Sequence, residues 1–436
     1  MEILALILFI SIFILILYGY PVAFTLGGLS LLYAFCFLPA ESLNLLPLRI
    51  YGIMSKEELM AVPLFIFMGI MLEKSGLAER LLETMALLFG RIPGGLAYAV
   101  IIVGALLAAS TGIVGATVIT MGLISLPTML RRGYKTELAT GVIASSGTLG
   151  QIIPPSIVLI LLGSVLNVSV GKLFAAALLP GLLLVIGYAL YVFIYARLHP
   201  EHAPAMPEEE VRAFWESNYW SRLFKAFFLP LLLIVAVLGS ILGGIASPTE
   251  AAAVGAVGAM ILTAIEKRLK LQVLESVMRD TTHLTSMVFL ILLGATTFSL
   301  VFRELGGDRY LVSLIEQANL STYAFLALVM LLIFVAGFFI DFIEIIFIIV
   351  PVVAPLFQQM GVDLVWLGIL IALNLQTSFL TPPFGFSLFY LKGVAPPEVR
   401  SSHLYRGIVP FIVIQVLMLI VVILFPEILE WVSFAG

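Results

Sequence analysis

The chain is poor in charge, in cysteine and in histidine, and each scarcity removes a class of protein. Only 11% of its 436 residues are Asp, Glu, Lys or Arg, against roughly one quarter in soluble domains. With 62% hydrophobic residues and a mean hydropathy of +1.17, a water-soluble fold could not hide the apolar surface. The bilayer must act as solvent. The single cysteine, Cys36, excludes an internal disulfide, and its place in an apolar run predicts a small core residue. The four histidines (His199, His202, His283 and His403) lack metal-ligand spacing. No GxxxxGK[ST] loop is present, which argues against a self-contained ATP-driven pump. No Ser-His-Asp, HExxH or paired-carboxylate arrangement points to an intramembrane enzyme. Met1 to Leu17 is apolar but has neither a basic leading segment nor a small-residue cleavage site, so it reads as a first spanning helix.

What the chain has in abundance is long apolar runs, at about 3–19, 22–38, 59–73, 95–129, 136–166, 173–196, 226–245, 249–265, 281–302, 323–357, 363–391 and 408–425. Most fit one helix of about 20 residues. The stretches 95–129 and 323–357 are too long for one crossing, and polar breaks interrupt them at Ser110-Thr111-Gly112 and at Gly337 to Asp341. They predict helical hairpins that enter and leave on the same side. The stretches 136–166 and 363–391 contain Gly147-Thr148-Leu149-Gly150-Gln151-Ile152-Ile153-Pro154-Pro155-Ser156 and Gln376-Thr377-Ser378-Phe379-Leu380-Thr381-Pro382-Pro383-Phe384-Gly385. Proline removes a backbone donor and biases the residue before it away from the helix. Each Pro-Pro pair therefore predicts a helix unwound at mid-membrane, tolerated only where it lines a protein cavity or holds an ion.

Charge placement tests this layout. If both long stretches are hairpins and the N-terminus is outside, 17 of the 22 Lys and Arg fall in inside loops. Only Arg49, Lys56, Lys172, Arg303 and Arg309 fall outside. The positive-inside rule predicts that bias. Ten crossings result, five before the polar stretch 197–225 and five after it, so the two halves run in opposite orientations. The first inverted repeat covers 1–198, a cytoplasmic connector 199–225, and the second repeat 226–436. Matching interruptions in two inverted halves point to a transporter's midplane site. Leu77 to Gly90 and Leu43 to Leu59 read as interfacial amphipathic helices.

Ser110-Thr111-Gly112 with Gly147 to Ser156 can build one cation site, because unwound carbonyls and hydroxyls supply oxygen ligands without a full countercharge. Gly337 to Asp341 with Thr377 to Phe384 is the matching second site. Small residues there also serve close helix packing. Asp341 and Glu344 lie well inside an apolar run, where a role in ion coordination, proton coupling or gating competes with a structural hydrogen bond. Ser247-Pro248-Thr249-Glu250 predicts a capped helix start at the outer interface.

At these residues the chain resembles a known family, the large membrane subunit of tripartite ATP-independent periplasmic (TRAP) transporters, DctM type. The resemblance rests on Val62-Pro63-Leu64-Phe65-Ile66-Phe67-Met68-Gly69, Arg132-Gly133-Tyr134, the Ile-Pro-Pro-Ser within Gly147 to Ser156, Ser247 to Ala253, and Thr381-Pro382-Pro383. It implies an all-α polytopic membrane protein with two inverted repeats, each holding a re-entrant hairpin and a discontinuous helix, working as an elevator. It further implies a sodium-coupled importer in the bacterial inner membrane, with both termini periplasmic in the layout above. The implied partners are a small four-helix membrane subunit of DctQ type, a periplasmic substrate-binding protein, the lipid bilayer and a small organic acid; nucleic acid is not among them. No cofactor is implied beyond sodium as coupling ion. One sodium site would involve Ser110, Ile113, Gly150, Ile153 and Pro155, the other Gly337, Ser378, Thr381 and Phe384, with Thr148, Ser156, Asp341 and Thr377 available for substrate or coupling. The first hairpin tip departs from the family's common Ser-Gly-Ser and reads Ser110-Thr111-Gly112. A dicarboxylate/sodium symporter that needs no binding protein is the alternative of the same architecture, and a membrane-embedded enzyme or a channel the alternative of another class.

Overall fold

A computed structural model describes residues 2–112, 114–216 and 219–431, and among them every regular element is helical. The first half begins with α1 (Glu2–Leu17) and α2 (Val22–Phe37), a short arm α3 (Leu46–Met54), and the bent pair α4 (Ala61–Lys74) and α5 (Leu77–Leu88). A hairpin follows, α6 (Gly95–Thr111) and α7 (Val114–Arg131), then the broken helix α8 (Thr136–Thr148) and α9 (Ile157–Leu166), then α10 (Val170–Leu198). The connector holds α11 (Glu208–Glu216) and α12 (Tyr219–Leu223).

The second half repeats that order of elements. It has α13 (Leu229–Leu242), α14 (Pro248–Ile265) and the long α15 (Leu271–Glu304) with α16 (Gly307–Gln317). Next come a hairpin of α17 (Thr322–Ala336) with the bent pair α18 (Phe342–Ile348) and α19 (Val350–Gln359), the broken helix α20 (Leu364–Leu380) and α21 (Phe386–Val394), and finally α22 (Ser401–Leu424). The turns into α5 and α16 match in detail. Gly76 and Gly306 stand at their N-termini with φ of 70° and 84°, a conformation glycine adopts without a Cβ clash.

Among the described residues six helices are individually long and apolar enough to cross a membrane, or eight if each bent pair is counted as one span. The ten crossings expected from the runs include α1, α2 and one half of each broken helix, α9 and α20, which are shorter apolar helices. The most extensive packing sets α2 against α15 and α4 against α14, each pair joining one helix of each half. The same exchange occurs at the breaks, where α21 lies on α7 while α9 lies on α18 and α19.

Polar links knit the ends. Lys74 pairs with Asp280 and Arg80 with Glu266, in segments expected inside. The connector clasps both ends of the first hairpin: Gly94 N donates to Ala203 O (2.8 Å), Met206 N to Gly90 O (2.9 Å) and Lys135 N to His202 O (2.9 Å). Arg132 adds a two-pronged contact to Glu210, at 3.0 and 2.5 Å. That ion pair holds the exposed Glu210 carboxyl below its ordinary value. In segments expected outside, Thr249 Oγ1 donates to Glu57 O at 2.8 Å beside the Ser247–Glu250 capping box that the sequence signals.

One expectation fails. Cys36 is exposed rather than a core residue. The inward face of α2 is Val22, Thr25, Leu26, Ser30 and Ala34, and Cys36 lies off that stripe. In a membrane protein the outward face is apolar as well, so an apolar run does not reveal which side is buried.

Candidate functional site

The two helix breaks have the same local cause. Helical carbonyls need a donor four residues on, and Pro154 and Pro155 supply none to Gly150 and Gln151. Pro382 and Pro383 likewise deny Ser378 and Phe379. α8 therefore tightens into a 3-10 turn over Leu149–Gln151 and stops, and α20 stops at Leu380. Both Pro-Pro bonds are cis. Ser156 then begins α9, its hydroxyl donating back to Gln151 O at 2.8 Å.

Each break is set against the hairpin that precedes it in the chain. A Cβ on Gly150 would stand 2.3 Å from Ala108 O, so the backbone of α6 touches the first break directly. The turn at Gly112 (φ 61°) approaches Ile157, at the start of α9, where an added Cβ would stand 2.9 Å from its Cγ1. At the second break a Cβ on Gly337 would stand 2.2 Å from Ser378 Oγ. Ser378 Oγ donates to Phe334 O (2.8 Å) and Asn374 Nδ2 to Met330 O (2.7 Å), two bonds that fasten α17 to α20. The ring of Phe384 meets that of Phe339 near the hairpin tip, 5.3 Å between centroids.

The structure thus brings Gly337, Ser378, Thr381 and Phe384 to one break, and Gly150, Ile153, Pro155, Thr148 and Ser156 to the other. Ile113 lies outside the described residues, as do the side chains of Ser110 and Thr111. The environments differ. The first break is buried apart from the half-buried Ile153, while Pro383 and Phe384 are exposed. Thr381 Oγ1 donates to Thr377 O and Thr377 Oγ1 to Leu373 O, both at 2.8 Å. Each hydroxyl keeps its oxygen lone pairs open as an acceptor. Thr148 Oγ1 is similarly spent on Ser145 O, at 2.8 Å.

Asp341 and Glu344 form a capping box at the start of α18: Phe342 N donates to Asp341 Oδ1 (2.7 Å) and Asp341 N to Glu344 Oε2 (3.2 Å). These bonds account locally for two carboxylates in an apolar run. Neither pairs with a cation among the described residues.

Four polar residues escaped the sequence reading. Gln151 and Gln376 are fully buried, and neither amide has a hydrogen-bond partner among the described residues. Each such amide costs about 1–3 kcal/mol if left so. Both stand inside the interrupted motifs, so the signal was a polar side chain in an apolar run. Asn374 and Ser387 act across elements, Ser387 Oγ donating to Ala144 O at 3.0 Å and joining α21 to α8. Nothing in the local pattern foretells those partners.

Comparisons with known proteins agree with this architecture. The chain is 33% identical over 389 residues to the C4-dicarboxylate TRAP transporter large permease protein DctM of Pseudomonas aeruginosa, covering 89% of each chain. It is 30% identical to the sialic acid TRAP transporter large permease protein SiaM of Vibrio cholerae, over 94% of this chain and 93% of the relative. It is 29% identical to the ectoine/5-hydroxyectoine permease UehC of Ruegeria pomeroyi, over 97% and 96%. Among solved structures the fold is similar to the Alcanivorax borkumensis YdaH transporter, with TM-score 0.63 and 16% identity over 90% of this chain and 91% of that one. The family described as tripartite ATP-independent periplasmic transporter, DctM component, matches residues 9–428, and the chain belongs to that family of TRAP transporter large permease proteins.

Proposed function

We propose that the chain is the large permease subunit of a sodium-coupled importer for a small organic acid. A periplasmic substrate-binding protein feeds it, and a small four-helix membrane subunit of DctQ type accompanies it in the bacterial inner membrane. The observation that carries this reading is that both Pro-Pro breaks rest against the preceding hairpin, offering carbonyls denied their helical donors together with hydroxyls, and no ion-paired Lys or Arg stands there among the described residues. Such a set suits a monovalent cation, which needs several oxygens and no full countercharge. Gly150, Ile153 and Pro155 would serve one ion with Ser110 and Ile113, and Gly337, Ser378, Thr381 and Phe384 the other. Thr148, Ser156, Asp341 and Thr377 are the groups we assign to substrate or coupling. The organic acid is suggested by relatives named for C4-dicarboxylates and sialic acid.

In this reading access alternates by movement between two packed units. One is the cross-paired set α2, α4, α14 and α15; the other comprises the hairpins and broken helices. Where they pack on each other, side-chain hydrogen bonds include those from Lys56, just before α4, whose Nζ donates to Ser164 O (2.8 Å) and Asn167 Oδ1 (2.9 Å), and from Thr120 Oγ1 to Glu73 Oε1 (2.8 Å). In the layout with periplasmic termini, the first contact is outside and the second inside. Sliding the second unit past the first would exchange these contacts.

The test is uptake into proteoliposomes carrying both membrane subunits, with the binding protein supplied outside. Thr381→Ala removes a proposed ligand whose hydroxyl bonds only within its own helix. It should weaken the sodium response more than the amount of folded protein. An unchanged sodium response would remove Thr381 from the site. Uptake that persists without the binding protein would favour the self-sufficient symporter, and failure to accumulate substrate above equilibrium would favour a channel.

A further inference from the structure

A pocket of about 510 Å³ opens between two walls, one from α3 and α15 and the other from α9, α18 and α19. Its charged lining residues are Arg49, Lys56 and Arg303, and no Asp or Glu lines it. Five cations were expected on the outer face of the whole chain, and three of them converge on this cavity. Their charges are poorly neutralised. Arg49 is partly exposed and has no ion-pair or hydrogen-bond partner among the described residues. Lys56 donates only to uncharged acceptors, Ser164 O and Asn167 Oδ1, and burial pushes its ammonium below the ordinary value against the opposing charge of Glu58. The exposed Arg303 is paired at 3.4 Å with the partly buried Asp308, which offsets part of its charge. Between the cations lie apolar side chains such as Leu292 and Phe347 and the hydroxyls of Thr296 and Ser299.

We propose that this cavity is the outer reception site for the carboxylate of the transported acid. The guanidinium of Arg49 is free for a two-pronged contact, Lys56 and Arg303 add positive potential, and the apolar wall faces the carbon skeleton. Low-dielectric walls lined by one sign of charge focus the field and raise the local concentration of anions. The volume suits a small ligand, for which sites span about 300–1,000 Å³. Of the walls, α15 belongs to one of the two units described above and α9, α18 and α19 to the other. An acid held here therefore sits where their relative movement begins to enclose it. This inference rests on the reading of the cargo as an organic acid.

A cysteine placed at Ser299 in a Cys36→Ser chain reads out the site, with the permease and its small subunit reconstituted in neutral phosphatidylcholine. The anionic reagent 2-sulfonatoethyl methanethiosulfonate should label Cys at this position about tenfold faster than the trimethylammonioethyl reagent. Arg49→Gln should bring the ratio towards one, and that arginine has no structural partner to lose. Succinate should slow labelling at constant ionic strength while erythritol does not. Arg49→Lys should keep the charge preference and weaken the succinate protection. Equal labelling by the two reagents, or no protection by succinate, overturns the proposal; a bilayer-anchored phosphate occupant would give the latter result. Sodium-driven succinate uptake that is unchanged in Arg49→Gln also overturns it, leaving the importer reading intact. Charge-selective, succinate-protected labelling in a chain whose uptake ignores sodium would instead sink the sodium coupling and leave the reception site standing.

Discussion

Exchanging the small residues at the second break tests whether hairpin and broken helix are held by close backbone approach. A Cβ added at Gly337 would meet Ser378 Oγ at 2.2 Å and Ser378 Cβ at 2.9 Å. The serine cannot turn aside without releasing its 2.8 Å bond to Phe334 O. Gly337→Ala therefore combines overpacking, typically about 1–3 kcal/mol, with loss of a membrane hydrogen bond of about 0.6 kcal/mol. We expect a loss of about 2 kcal/mol. Ser378→Gly alone gives up the same bond and some helix stability, about 1 kcal/mol in all. The double variant removes the obstructing atoms and recreates the first break, where Ala108 faces Gly150, four residues before the first proline as Ser378 is. It should be destabilised by only about 1 kcal/mol, giving a coupling of about 2 kcal/mol between the sites. Unfolding titrations in mixed micelles measure all three variants. Additive losses, with the double variant the least stable, would refute the close-approach argument.

Gly150→Ala should be more damaging than Gly337→Ala, about 3 kcal/mol or beyond, because the atoms it meets are the backbone of Ala108 rather than a side chain; the same titration checks it. Ser387→Ala should cost about 1 kcal/mol by leaving Ala144 O without its donor, and Ser387→Thr should retain part of that stability. The Arg132–Glu210 contact is exposed and worth at most about 1 kcal/mol. Because Glu210 titrates below its ordinary value of 4.5, its contribution is complete above that pH and is lost as pH falls through the lowered value. The protection of connector amides against hydrogen exchange, taken relative to the intrinsic rate at each pH, should therefore fall on acidification, whereas Glu210→Gln should show the lower protection already at neutral pH. An identical pH response in both proteins would dismiss the contact as a clasp.

The sequence by itself determined that this is a helical membrane protein, where its helices are interrupted, and which family it joins. Those features are written in local chemistry. Apolar runs demand lipid or buried surroundings, and prolines at 154, 155, 382 and 383 strip donors from identified carbonyls whatever the rest of the chain does. The Ser247–Glu250 box was equally readable, since its partners are three residues apart. Asp341 and Glu344 show the limit. Their spacing is that of a capping box too, yet only the structure showed the box formed, on a helix α18 that packs on α9. The side facing the core could not be read for Cys36, because lipid-facing and buried surfaces share one composition. Only the tertiary structure decided which elements cross between the halves, putting α21 on α7 and α9 on α18 and α19. It also set Gly150 on Ala108, left the Gln151 and Gln376 amides without partners among the described residues, and gathered Arg49, Lys56 and Arg303 around one cavity. Residues so far apart in the chain meet through packing alone, and no local pattern encodes their distance.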